Sequence, residues 1–330
     1  MDSVFVKIPD LGDKIIRELD NQSLVRCKQV QRSWYNFITE EKILWLRIIE
    51  NFIGDVKTFS KAWKKVLSKA PVDFVAQVAI TTQQFHTKYR LLSQISPIYV
   101  VATVGNLVLY QQMMAKLANM KQKYIFGNNH PLFLSAHAGN YDIFKFIIVN
   151  VDEKNPARRD GVTPLYVAAQ NGHYEICKLI ISKVDNKNPA KHDGVTPLYI
   201  AACNGHYEIC KLIISNVDDK NPASLPRHNG GDTPLHIAAQ NGHYDICKLI
   251  ISNVDEKNPA THNGGTPLYA AAEKGHYEIC KLIIENVNDR NPTTNSDWNP
   301  FHIAAMNGHF KICKIILEKW MTKIHGRMMD

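Results

Sequence analysis

The chain of 330 residues carries two reactive side chains in a regular row: His173, His206, His243, His276 and His309, and Cys177, Cys210, Cys247, Cys280 and Cys313. Imidazole and thiolate ligate zinc, relay protons and act as nucleophiles, so the first question is whether these rows converge on one site. Their spacing argues that they do not. Each cysteine occupies the same position of a repeating unit, and such copies in neighbouring packed helices lie roughly 10 Å apart, beyond the reach of a disulfide. Cys27 and Cys203 are left over, and no Cys-x-x-Cys or mixed Cys/His ligand spacing occurs. A reducing compartment is the simpler reading, with no metal site. Each histidine follows a glycine and is assigned to a helix junction. No phosphate loop or nucleophile elbow stands out either, so the sequence predicts no enzyme, no catalytic residue and no cofactor.

The element that positions these residues is a unit of 33: Thr163-Pro164-Leu165 returns at Thr196, Thr233 and Thr266, each time followed by Ala-Ala and Gly-His. Thr163 can cap a helix by accepting from free backbone N–H groups, and Pro164 fits the first helical position, where its fixed φ suits the helix and its missing donor costs nothing. Ala168 and Ala169 keep that first helix slim enough for close approach. Gly172 supplies the positive φ that ends it, and His173 opens a second helix, with Ile176, Leu179 and Ile180 predicted on its buried face. Residues such as Val184 to Gly194 are polar and turn-rich, as in a projecting loop or hairpin. One helix pair cannot bury its apolar face alone, so several must stack, and a stack offers a long binding surface rather than an enclosed pocket.

This order of Thr-Pro-Leu, Ala-Ala and Gly-His resembles the ankyrin repeat. Counted by the residue before each proline, the units fall at His130, Thr163, Thr196, Thr233, Thr266 and Asn299, spaced 33, 33, 37, 33 and 33. Ser96-Pro97-Ile98-Tyr99 with Ala102 and Gly105 marks a further unit 34 residues before His130. The resemblance implies an all-α solenoid of six to seven repeats over 95–327, with units starting near 95, 128, 161, 194, 231, 264 and 297. Three departures stand out. The glycine that usually follows the second helix is absent from Asn253-Val254 and Asn286-Val287, so the left-handed cap is expected to fall to asparagine. Arg158, Lys191, His228 and Thr261 stand where family hairpins carry Asp, so these loops are expected to be tied down differently. Tyr166, Tyr199 and Tyr269 replace a histidine that His236 and His302 keep, and all are assigned to the hydrogen-bonding scaffold.

Charge adds little to this. The net +8 comes from the ends, 13 Lys/Arg against 9 Asp/Glu in residues 1–70 and 5 against 2 in 311–330, leaving the repeats at 21 against 20. No basic run with interleaved aromatics points to nucleic acid. The uncharged stretch Leu91 to Ala115 contains Gln94, Pro97, Asn106, Gln111 and Gln112, which reads as repeat core rather than a membrane span. The N-terminus lacks a basic segment followed by an apolar one, so a cytoplasmic or nuclear location is expected.

Residues 8 to 46 form a separate helical pattern with a heavy aromatic load: Ile8-Pro9-Asp10-Leu11, Ile15-Ile16, Leu24, Val30, Trp34 and Leu44-Trp45. Fewer than about 50 residues seldom build a sufficient core alone, so apolar residues exposed here suggest a partner. The order resembles the F-box over residues 1–50, with Gln31 where that family has a cysteine, followed by a helical linker over 51–94. The resemblance implies a Skp-type adaptor and a cullin-RING ubiquitin ligase as partners, and the adaptor-facing residues carried over by position are Ile8, Pro9, Leu11, Ile15, Ile16, Leu24, Val30 and Trp34.

Together the two resemblances imply a substrate receptor that is a monomer within a hetero-complex. The alternative is an ankyrin scaffold with no link to ubiquitin. Specificity for a protein substrate is expected where the copies differ while the frame stays fixed, at hairpin tips and just after the paired alanines. The candidates are Arg159, Asp160, Gln170, Asn171, His192, Cys203, Asn204, Asp232, Gln240, Glu273, Lys274, Trp298 and Met306, with Trp298 as the anchor.

Overall fold

The computed structural model describes residues 74, 75, 78, 101, 102, 105–117, 131–224, 230–289 and 291–327, which hold thirteen α-helices and no strand. The chain divides into two compact units, Met1–Asn150 and Val151–Asp330. The N-terminal segment likened to an F-box, with Ile8, Pro9, Leu11, Ile15, Ile16, Leu24, Val30 and Trp34, lies outside the described residues.

In the first unit, α1 (Leu107–Leu117), α2 (Pro131–Ala138) and α3 (Tyr141–Val149) enclose Leu109, Tyr110, Met113, Leu132, Phe144 and Ile147. Asn106 caps α1 by accepting from the Leu109 N–H at 3.0 Å. The Asn140 amide, at the head of α3, donates to the Ala102 carbonyl at 2.7 Å. Gly105 faces this amide at φ +90, where a Cβ would lie 2.8 Å from the Asn140 oxygen. Tyr110 and Phe146 meet edge to face at 6.1 Å.

The second unit is two layers of short helices. The first layer holds α4 (Pro164–Gln170), α6 (Pro197–Cys203), α8 (Pro234–Gln240), α10 (Pro267–Lys274) and α12 (Pro300–Met306). The second holds α5 (Tyr174–Ile181), α7 (Tyr207–Ile214), α9 (Tyr244–Ile251), α11 (Tyr277–Asn286) and α13 (Phe310–Arg327). Each helix packs on the next of its own layer and on its partner in the other. The helix starts follow from the sequence: Thr163, Thr196 and Thr266 accept from the N–H three residues on at 3.2 Å, and Asn299 does so at 2.9 Å.

Two expectations about the second layer are corrected. The buried face of α5 is Ile176, Cys177, Ile180 and Ile181, with Leu179 only half-buried. The reason is that each such helix packs at once on its first-layer partner and on its second-layer neighbours, which centres its buried stripe one position away from a simple amphipathic reading. Asparagine also does not take the left-handed cap, since Asp297 is the only described non-glycine residue with positive φ. Instead the Asn253 side chain donates back to the Leu249 carbonyl at 2.9 Å and Asn286 to Leu282 at 2.8 Å, so the amide satisfies a free helix-end carbonyl without the unusual backbone.

Candidate protein-interaction surface

The row of histidines is a structural ladder. His206 Nε2–H donates to the Gln170 carbonyl at 3.1 Å, His243 to Cys203 at 3.1 Å, His276 to Gln240 at 3.0 Å and His309 to Glu273 at 3.2 Å. Asparagine amides join three of these rungs: Asn204 reaches the Gln170 carbonyl at 2.8 Å, Asn241 that of Cys203 at 2.8 Å and Asn307 that of Glu273 at 2.9 Å. The ring of each histidine lies against the glycine of the preceding repeat, so a Cβ on Gly172, Gly205, Gly242 or Gly275 would stand 2.6–2.8 Å from it. Among the described residues no group of three or more His, Cys, Asp or Glu could hold a metal ion. Four of the five cysteines in the row are core, and Cys313 in the last repeat is half-buried: Cys177, Cys210, Cys247 and Cys280 are fully buried and free, and burial pushes their thiols up to about 12, far from a reactive thiolate at neutral pH.

The hairpins are tied at their base by a residue the sequence reading passed over. Asn155, Asn188, Asn221 and Asn258 each accept from the N–H of the leucine in Thr-Pro-Leu at 2.9 Å, and Asn291 accepts from Phe301 at 3.1 Å. The signal was present, because Asn-Pro recurs at all five positions. Asn221 keeps its bond across the four-residue insertion, so the lengthened hairpin leaves the stack in register. Neighbouring hairpins also join backbone to backbone: His192 N–H donates to Asp160 at 3.2 Å, His262 to Gly230 at 2.9 Å and Asn295 to Asn263 at 2.9 Å. At the tips, Asp160 and Asp193 accept from the N–H two residues on at 3.1 and 3.0 Å.

With the frame saturated in this way, the positions that differ between copies can be placed. Arg159, Asp160, Gln170, Asn171, His192, Asn204, Lys274, Trp298 and Met306 are exposed, and Cys203, Asp232, Gln240 and Glu273 are half-buried. Their side chains are not equally available. The Asn204 amide is committed to the ladder, and Asn171 donates to its own helix at Val167, 2.9 Å away. The Asp160 charge acts on Tyr166 and the Asp232 charge on Tyr199, and Lys191 stands over the Tyr166 ring at 5.1 Å and pairs with Asp193 at 3.0 Å. Burial works against the Asp193 charge, but the Val195 N–H and Lys191 outweigh it and hold the carboxyl below its usual range. Burial alone pushes the Asp232 carboxyl up. Lys274 lies 3.7 Å from Glu273, and Trp298 meets His302 edge to face at 6.2 Å.

The second layer offers a different kind of surface. Two grooves of about 470 and 550 Å³ run between adjacent helices, one from Lys178 and Ile181 to Asn216, the other from Lys248 and Ile251 to Asn286. Their linings are the same residue types in the same order, so they do not distinguish one repeat from another. No described helix is long and apolar enough to cross a membrane.

No curated protein matches the chain. Residues 98–190, 183–261 and 252–327 each match the family described as ankyrin repeats in three copies, and together they span more than two thirds of the sequence. Repeats of this family are in general protein-interaction scaffolds rather than enzymes. Given that match and the helix pairs, ladder and hairpins described above, the chain belongs to the ankyrin-repeat family.

Proposed function

We propose that this protein is a non-catalytic receptor that holds a protein client on its first-layer side while its N-terminal segment docks on a Skp-type adaptor of a cullin-RING ubiquitin ligase. The observation that carries the client half is the division of labour in the repeats: ladder, caps and hairpin ties consume the frame's polar groups, and the copies differ at hairpin tips and just after the paired alanines, where Arg159, Gln170, His192, Lys274, Trp298 and Met306 are exposed. The ligase half is supported by the order of Ile8-Pro9, Leu24, Val30, Trp34 and Leu44-Trp45. Such a receptor works by raising the local concentration of client lysines near a conjugating enzyme, which needs no acid, base or nucleophile in this chain. The complex would act in the cytoplasm or nucleus.

Changing Pro9 and Leu11 to serine and aspartate tests the ligase half. Co-purification with a Skp-type adaptor should be lost while the circular dichroism melt of the repeats stays unchanged. Undiminished adaptor binding by this variant, or absence of binding by the unaltered protein, removes the ligase assignment and leaves an ankyrin scaffold unconnected to ubiquitin.

A further inference from the structure

The first-layer side over residues 230–306 differs in charge from the chain as a whole. The chain carries +8, yet the Asp, Glu, Lys and Arg residues described at hairpin tips and on first-layer helices there are Asp232, Glu273, Lys274 and Asp297, and Lys274 is already beside Glu273 at 3.7 Å. Asp232 is half-buried and has no cation partner among the described residues, whereas Asp193 of the preceding repeat has Lys191 at 3.0 Å. Partial burial makes that carboxylate's charge costly, and an incoming cation offsets the cost.

Asp232 and Trp298 occupy the same slot of their repeats, the residue just before the helix cap. Two repeats separate them, roughly 20 Å at the spacing of packed helices, and that distance is covered by about six residues of extended chain. Trp298 is 40% exposed and Met306 is 62% exposed, two large apolar side chains open to solvent. His302, which Trp298 touches, precedes Met306 by one helical turn, so both lie on one side of α12.

From this placement we propose that the first-layer side of residues 230–306 takes an extended protein segment bearing a lysine or arginine for Asp232 and, about six residues along, a large apolar side chain for the Trp298–Met306 patch. This rests on the protein-recognition reading above and narrows it to one class of client sequence. Charge sets where the segment sits along the stack, and the tryptophan supplies most of the affinity.

The experiment is selection of displayed random 12-residue peptides on the full-length protein, followed by affinity measurements on synthetic versions of the selected sequences. The expected result is enrichment of a basic residue four to eight positions from Leu, Phe, Trp or Met. Asp232→Asn should weaken binding about tenfold and remove the advantage of the basic residue. Trp298→Ala should weaken it about thirtyfold and remove the advantage of the apolar one. Enrichment of acidic or unspaced sequences, insensitivity to both substitutions, or no enrichment at all overturns the proposal. Photo-crosslinking in cells from a probe at Gln170, outside the proposed segment's footprint, separates the two levels. Protein adducts there uphold client recognition even when the peptide rule fails, and their absence removes the broader reading as well.

Discussion

The second-layer helices and the ends of the first-layer helices were built by the same duplication, yet they have been treated differently. Tyr174–Ile181, Tyr207–Ile214 and Tyr277–Ile284 are the same eight residues, and Tyr244–Ile251 differs only at Asp245. The residue just after the paired alanines of the first helix runs Gln170, Cys203, Gln240, Glu273 and Met306. Exposure alone does not explain the contrast, because Glu175 and Lys178 are exposed and recur as well. They sit in the first and last turns of α5, where an acid and a base suit the helix dipole, so they too have work within the frame. At Gln170, Cys203, Gln240 and Glu273 the ladder uses the backbone carbonyl, which any residue supplies, so the side chain can change without breaking a rung. What the comparison teaches is that freedom to vary follows from having no structural duty, and that surface is where recognition can be tuned without unfolding the stack.

Truncating one residue on each side of that divide tests it most strongly. Ile213 is fully buried between layers, and Ile213→Ala should cost about 4 kcal/mol, the transfer of the lost methyl groups plus the cavity left in a packed site. Gln170→Ala removes an exposed side chain while keeping the carbonyl that Asn204 and His206 use, and should cost less than about 0.5 kcal/mol. Urea titration followed by circular dichroism reads both. Similar costs for the two would break the distinction between frame and free surface.

A sharper version holds the backbone constant and changes only the neighbour. Gly242 has φ +81 and a Cβ there would meet the His276 ring at 2.7 Å, whereas Gly308 has φ +74 with nothing within 4 Å. Gly308→Ala then carries only the strain of a left-handed alanine, about 1 to 2 kcal/mol. Gly242→Ala adds displacement of a ring that is hydrogen-bonded to Gln240, bringing the cost to about 3 kcal/mol. Equal melting-temperature losses would mean that the ladder contributes nothing beyond backbone geometry.

How much of this was legible depended on whether the deciding partner was near in sequence. Helix starts at Thr163 and Thr266 and the turn at Gly172 were readable, since each cap closes within a few residues. The asparagine bond at the second-helix end was misjudged because a left-handed cap and an amide reaching back one turn demand the same residue type. Leu179 was placed on the buried face because helical periodicity knows nothing of a second neighbouring helix. At the surface, Asn204 looked variable and available, but its duty is set by a carbonyl 34 residues earlier, which only the stacked structure reveals. Asn155 and its copies went unnoticed beside louder Thr-Pro-Leu and Gly-His signals.

The slot shared by tyrosine and histidine gives an effect with a defined sign. His236 is buried, its Nδ1 accepts from the Thr233 N–H at 3.1 Å, and its Nε2–H donates to the Gly265 carbonyl at 3.3 Å. This pattern requires the neutral ring, and burial, partly offset by the Gly265 and Pro259 carbonyls, lowers the pKa from 6.5 to about 4. Between those values the unfolded chain binds a proton that the folded chain does not, so this contribution is present above pH 6.5 and is lost as the pH falls toward 4. On going from pH 7 to pH 5 the loss should be about 2 kcal/mol. His236→Tyr installs the residue that Tyr166, Tyr199 and Tyr269 carry in the same slot and removes the titrating group. The unaltered protein should therefore lose about 2 kcal/mol relative to the variant between pH 7 and pH 5, so the two unfolding free energies converge where tyrosine is the less stable at pH 7. Parallel pH profiles would place the histidine's role in shape alone.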